Sequence, residues 1–91
     1  MIVEIYGKQD CALCASAKRK VSHLLTKWGM ADKVELVFHD METEHGAAEG
    51  DFYDVFEIPS VLVKPKEDPD RVIGRWEGKA PPSGELRRLC A

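Results

Sequence analysis

The stretch YGKQDCALCASAKRK, Tyr6 to Lys20, sets two cysteines three positions apart where an apolar run gives way to a basic helical one. Upstream, MIVEIYG (Met1 to Gly7) is short, rich in β-branched and aromatic residues, and closed by a glycine, which predicts a largely buried strand. Downstream, Leu13, Ala17, Val21, Leu24, Leu25 and Trp28 recur at helical spacing, with Lys18, Arg19, Lys20 and Lys27 largely off that stripe and Gly29 as the expected stop. The first cysteine therefore falls at the N-terminus of a helix, where unpaired amides and the helix dipole stabilise an anion. That setting favours a thiolate on Cys11, and Cys14, one turn on along the same helix face, is placed to react with it. Lys8 adds positive charge nearby; Asp10 opposes it unless its carboxylate caps the helix.

Working outward, VELVFHD (Val34 to Asp40) reads as a second strand, followed by a polar loop, METEHGAAEG, that runs into a helix. Within Ala47 to Phe56, the residues Ala48, Phe52, Val55 and Phe56 share one side and are expected to face the core. A third strand, IPSVLVKP, is entered through Pro59, and KEDPD (Lys66 to Asp70) makes the turn into a fourth, RVIGRWEG. Pro81 and Pro82 then lead into GELRRLC, with Ser83 as the expected cap and Leu86, Leu89 and Cys90 on one face of a last helix. The order β-α-β-α-β-β-α predicts an α/β fold: a mixed four-stranded sheet, with helices on both faces, whose first two strands are parallel and last two form a hairpin.

A chain of 91 residues with 44% hydrophobic content suits one domain, residues 1–91, and leaves no room for a second core. Its net charge of -3 supplies no general basic field for phosphates, which argues against nucleic-acid binding. The opening MIVEIYGKQD lacks the basic and apolar regions of a secretory leader, and no uncharged run approaches the roughly 20 residues of a membrane span. A cytoplasmic, monomeric protein without membrane association is expected. Three cysteines are too few, and the wrong parity, for a secreted disulfide framework, so the close pair points to redox chemistry or metal.

For the pair itself three readings stand side by side. A zinc site needs a second ligand pair, and His23, His39, His45 and Cys90 are scattered singly, so no metal ligand is assigned; a cluster shared between two chains through Cys11 escapes that argument. Two unreactive buried thiols are the plain structural reading. Thiol-disulfide exchange, with Cys11 attacking and Cys14 resolving, uses the spacing and the helix position together.

Lys8-x-x-Cys11-x-x-Cys14 after a strand, then YDVFEIPSVLV, a hairpin and a short helix, resembles the thioredoxin-fold redoxins, in particular the short glutaredoxin-like branch. The resemblance covers nearly the whole chain. It implies a thiol-disulfide oxidoreductase acting on protein disulfides or glutathione mixed disulfides, with Cys11 and Cys14 as catalytic residues and a cis peptide at Ile58-Pro59. It further implies that Ile58, Pro59 and Ser60 hold the substrate chain and that Lys8 meets a glutathione carboxylate. No metal or organic cofactor is called for; glutathione enters as a possible co-substrate, and glutathione or a reductase as electron donor. The alternative is a non-catalytic binding module, or an iron-sulfur cluster carrier, using the same groove. The chain departs from the family at Ala12 and Leu13, where glutaredoxins carry Pro-Tyr, and in VIGRWEGKAPPSGEL, where only Gly74 and Glu85 correspond to the glutathione-pocket residues. Glu4 lies one position out of register with the buried aspartate of larger thioredoxins and should point to the opposite face. Trp28 and Trp76 read as core, Cys90 as a packed hydrophobe, and the AKRK run as a solvated face open to an acidic partner.

Overall fold

The computed structural model describes Met1–Ala91 and orders the chain as β1 (Ile2–Gly7), α1 (Ala12–Lys27), β2 (Glu35–Asp40), α2 (Glu44–Phe52), β3 (Ser60–Lys64), β4 (Gly74–Glu77) and α3 (Ser83–Cys90). The strands form one sheet in the order β2-β1-β3-β4. β1 runs parallel to β2, with Tyr6 opposite His39, and antiparallel to β3, with Tyr6 opposite Ser60; β4 closes the far edge antiparallel to β3. β1 and β3 are the inner strands and are covered on both faces, which is why their sequences read as near-continuous apolar runs. No helix is long and apolar enough to cross a membrane.

Alternation along the strands divides the interior into two layers. On one face Val3, Ile5, Val61, Val63 and Trp76 pack with Val21 and Leu25 of α1 and Leu86 of α3. On the other, Tyr6 and Leu62 pack with Val55, Met41 and Tyr53 around α2. The buried stripe of α1 is Cys14, Ala17, Val21 and Leu25; Leu13, expected on it, is 68% exposed, because a residue one place from Cys14 is turned about 100° away from the sheet.

The second helix departs most from expectation. It begins at Glu44, capped by the Thr43 hydroxyl accepting from the Gly46 amide at 3.0 Å, and it buries Gly46 and Gly50. A Cβ on Gly46 would stand 1.8 Å from the Asp40 carbonyl oxygen, and one on Gly50 would stand 2.4 Å from the Met41 methyl. Close approach to the end of β2 fixes the helix phase through these two residues. Ala48, Phe52 and Phe56 consequently face solvent, Phe52 at 69% and Phe56 at 82% exposure. Val55 does reach the core, but from beyond the helix, after the chain turns at Asp54 with φ 55°.

Smaller differences have equally local causes. β4 is shorter than the expected strand, pairing only from Gly74 to Glu77. Ser83 is the first residue of α3 and not its cap; Pro82 holds that position and makes no side-chain cap bond. Trp76 is buried as expected, its indole N–H donating toward Glu85 at 3.5 Å. Cys90 is half-buried against the main core, and burial pushes its thiol pKa up, away from reactivity.

Candidate active site

The two cysteines are joined by a disulfide, with Cα atoms 5.1 Å apart, across the first turn of α1. Cys11 is itself the N-cap: its extended backbone enters the helix and its sulfur accepts the Cys14 amide at 3.1 Å. An N-cap group accepting a first-turn N–H is the position that the helix end most stabilises as an anion. Asp10, the sequence's other candidate for that task, is exposed and makes no side-chain hydrogen bond, so Cys11 takes the amide that a carboxylate would have taken. The pair is asymmetric: Cys11 is partly exposed, whereas Cys14 is fully buried. An incoming sulfur can reach only the first.

The burial of Cys14 depends on a residue the sequence reading treated as a strand terminator. Gly7, at the end of β1, lies directly beneath Cys14, where an added Cβ would meet the cysteine Cβ and Sγ at 2.9 Å and the Phe38 ring at 3.2 Å. The strand thus has to end in a residue without a side chain for the helix to seat its second cysteine.

The Ile58-Pro59 peptide is cis, as the resemblance implied. Pro59 is buried, and it shares with Leu13 a groove of about 440 Å³ whose other walls are Ser16, Ala17, Lys20, Gly78, Lys79 and Ala80. Leu13 lies between the two cysteines in sequence, so the fold brings the Cys-x-x-Cys turn, the cis-proline turn and the bend after β4 to one place. Ile58 is half-buried, and its N–H and C=O have no backbone partner. Ser60, by contrast, is fully enclosed: it sits in register with both Tyr6 and Glu77, and its hydroxyl donates to the Glu57 carbonyl at 2.5 Å. Of the three residues that the resemblance gave to substrate, Pro59 is a wall of the groove, Ile58 next to it has its backbone groups unpaired, and Ser60 anchors the turn behind them. Lys8 is exposed and without a side-chain partner, three residues before Cys11.

A polar cluster that the sequence did not reveal is buried under α2. Glu4 accepts from the Lys64 ammonium at 2.7 Å and from the Tyr6 hydroxyl at 2.8 Å. The Nε2 of His39 lies 3.5 Å from the second Glu4 oxygen, at the edge of hydrogen-bonding reach, with no nearer polar partner. His39 stacks on Tyr6 with ring centroids 4.6 Å apart, and the Lys64 ammonium lies 3.5 Å from the Tyr53 ring centroid. Burial alone would raise the Glu4 pKa, but the contacts with His39, Lys64 and Tyr6 and the Lys64 charge outweigh it and hold the carboxyl down at about 2. Burial and the Glu4 carboxylate push the Tyr6 phenol far above its ordinary range. Glu4 and Tyr6 share the α2 face, whereas Gly7 meets Cys14 on the other, so the cluster lies across the sheet from the disulfide, as the register of Glu4 predicted. The signal available in sequence was a lysine and a glutamate inside runs otherwise read as buried strands, which demands a partner for each.

The sheet order, the helices on its two faces, the cis-proline turn and a disulfide-forming Cys-x-x-Cys at the first strand-to-helix junction together define a thioredoxin fold that carries a cysteine pair at a helix start. Solved structures agree with that assignment of fold. Thioredoxin-2 of the malaria parasite superposes with a TM-score of 0.73 at 16% sequence identity, covering 97% of this chain and 78% of the other. Chloroplastic thioredoxin z gives 0.73 at 16%, covering 98% and 74%. Thioredoxin 1 of Thermosipho africanus gives 0.66 at 17%, covering 98% and 89%. No family model and no curated protein matches the sequence.

Proposed function

We propose that this chain is a dithiol oxidoreductase, glutaredoxin-like or thioredoxin-like, that reduces protein disulfides or glutathione mixed disulfides through Cys11 and Cys14. The observation that carries the reading is the asymmetric disulfide at the α1 N-terminus, with one sulfur reachable and capping the helix and the other buried one turn behind it. The Cys11 thiolate attacks one sulfur of the substrate disulfide; a Cys11-substrate bond forms, the substrate S–S bond breaks, and the first substrate thiolate leaves. Cys14, as thiolate, then attacks Cys11 and expels the second. Two electrons pass to the substrate, whose two thiolates take up protons, and the site is left as the Cys11-Cys14 disulfide. Two thiols of a donor, glutathione or a reductase dithiol, reverse the exchange and reset the site.

The unpaired Ile58 backbone supports a role in hydrogen-bonding an extended substrate segment beside Pro59, in the manner of strand addition. The free ammonium of Lys8 supports a contact with a substrate carboxylate, including that of glutathione, and Ser60 acts by holding the turn.

The test is to equilibrate the protein against glutathione buffers and to trap intermediates with Cys14→Ser. A midpoint within roughly -270 to -200 mV, and a mixed disulfide that accumulates on Cys11 when Cys14 is absent, are expected. If no internal disulfide forms at any poise, exchange is the wrong chemistry, and the site becomes a binding or iron-sulfur-carrying one, which colour after anaerobic purification would reveal.

A further inference from the structure

The charges around the groove are distributed unlike those of the rest of the chain. The protein carries a net charge of -3, with 16 acidic residues against 13 lysines and arginines. Yet α1, from Ala12 to Lys27, contains Lys18, Arg19, Lys20 and Lys27 and no acidic residue. The groove beside the cysteines is lined by Leu13, Ser16, Ala17, Pro59, Gly78 and Ala80, and its only charged walls are Lys20 and Lys79.

The two lysines are held differently. Lys20 donates from its ammonium to the carbonyl of buried Pro81 at 2.9 Å, which lays it along the groove margin, whereas Lys79 is exposed and has no side-chain partner. The positive face continues past the groove: Arg19 donates to Ser16, a groove wall, at 3.3 Å, and Lys18 and His23 line the adjoining hollow on the same helix. Carboxylates stand at two places around it: Asp10, exposed, directly precedes Cys11, and Glu57 lies beside Gly78. The Glu57 Oε2 is the atom that a Cβ on Gly78 would meet at 2.5 Å, and Glu57 is not itself a wall. Both carboxylates stand outside the groove, whose charged walls are Lys20 and Lys79, beside a helix that carries basic residues and no acidic one. Leu13, 68% exposed between the cysteines, supplies apolar surface at the same place. A groove of this kind, part apolar and part cationic, fits a segment that carries both kinds of side chain, and like-charged segments are repelled from it.

We propose that the groove selects substrate by charge: its occupant is an extended polypeptide segment bearing acidic side chains within a few residues of its disulfide cysteine, read by Lys79 and Lys20 while Leu13 and Pro59 contact the chain itself. The inference rests on the oxidoreductase reading of Cys11 and Cys14 and names the substrate class for that site. Charge selection acts mainly on encounter, so it appears in kcat/KM and weakens as salt shortens the screening length from about 30 Å at 0.01 M to about 3 Å at 1 M.

The experiment uses the full chain and three cysteine peptides, each joined as a mixed disulfide to a chromogenic thiol, alike except for Glu-Glu, Gln-Gln or Lys-Lys flanks. With dithiothreitol as reductant, the expected order of kcat/KM is acidic, neutral, basic, with about a tenfold span at low salt that collapses toward unity near 1 M. Lys79→Glu should invert the acidic-to-basic ratio and Lys79→Arg should preserve it; a ratio within one variant does not depend on how much of that variant is folded. Equal rates for the three peptides, or a ratio unmoved by Lys79→Glu, would overturn the charge-selection proposal while leaving reductase activity intact. If none of the peptide disulfides nor hydroxyethyl disulfide is reduced, the oxidoreductase reading fails. The groove proposal is then decided by amide chemical shifts of Gly78, Lys79 and Ala80 on adding a serine-for-cysteine acidic peptide. Shifts with the acidic and not the basic peptide support it, and their absence refutes it.

Discussion

Glu4 and Lys64 show how much one residue can depend on a partner sixty positions away. Each lies inside an inner strand, and each is tolerable there because the other is 2.7 Å away. Removing one partner strands a buried charge, so Lys64→Met alone should cost about 3–5 kcal/mol by urea unfolding. The double variant Glu4→Gln/Lys64→Met should cost far less than the sum of the singles, and additive losses would show that the pair is not coupled. Gly7 poses the opposite problem, a missing side chain. Gly7→Ala places a methyl 2.9 Å from the Cys14 sulfur, and overpacking at that junction should cost about 1–3 kcal/mol. Its separate signature is faster labelling of Cys14 in the reduced protein, because the second cysteine is lifted from its seat. Neither effect was legible in advance. Glu4 and Lys64 were visible as charges in apolar runs, but their pairing is set by strand register, and Gly7 looked like any strand-ending glycine.

At the level of elements, α1 and α2 differ in how far sequence periodicity could be trusted. The core stripe of α1 is made of large apolar residues, so its face is written in its hydrophobic pattern. α2 packs through Gly46 and Gly50, which carry no hydrophobic signal, while the aromatic residues that do carry one lie at and beyond its C-terminal end, in solvent. The consequence is a reversed mutational ranking. Phe52→Ser and Phe56→Ser should change stability by no more than about 0.5 kcal/mol, while Gly50→Ala should cost about 1–3 kcal/mol and Gly46→Ala more. The difference between the glycines follows from what each added methyl meets: a flexible methionine at Gly50, a fixed backbone carbonyl at Gly46. Thermal unfolding of the four variants measures it. A large loss for either phenylalanine would mean that the aromatic face is covered after all.

On the scale of the molecule, acid stability follows from the buried cluster. The Glu4 pKa falls from 4.5 when unfolded to about 2 when folded, so the folded state binds fewer protons in that interval. Its contribution is complete above about pH 4.5, declines as pH falls, and is gone below about pH 2. Stability should therefore drop between pH 4.5 and 2, and Glu4→Gln should flatten that slope while lowering the plateau at neutral pH; an unchanged slope would assign acid unfolding to other carboxyls. The same whole-molecule view separates two sites: the polar cluster lies on the α2 face of the sheet and the cysteines on the α1 face, so the proposed exchange and the acid stability draw on different residues.

The order and kind of the elements, the placement of Cys11 at a helix start and a proline at the entry to the third strand were all written in the sequence, whereas the cis form of that proline's peptide came only from the resemblance. What was written there is local: periodicity, a glycine or proline at a boundary, a spacing of three residues. The tertiary structure alone decided that Leu13, Pro59, Lys20 and Lys79 meet in one groove, that Glu4 finds Lys64, and that α2 turns its glycines inward. Those facts depend on strand register and on how closely backbones approach, and both are settled when distant segments compete for the same space, a competition that no single stretch of sequence records.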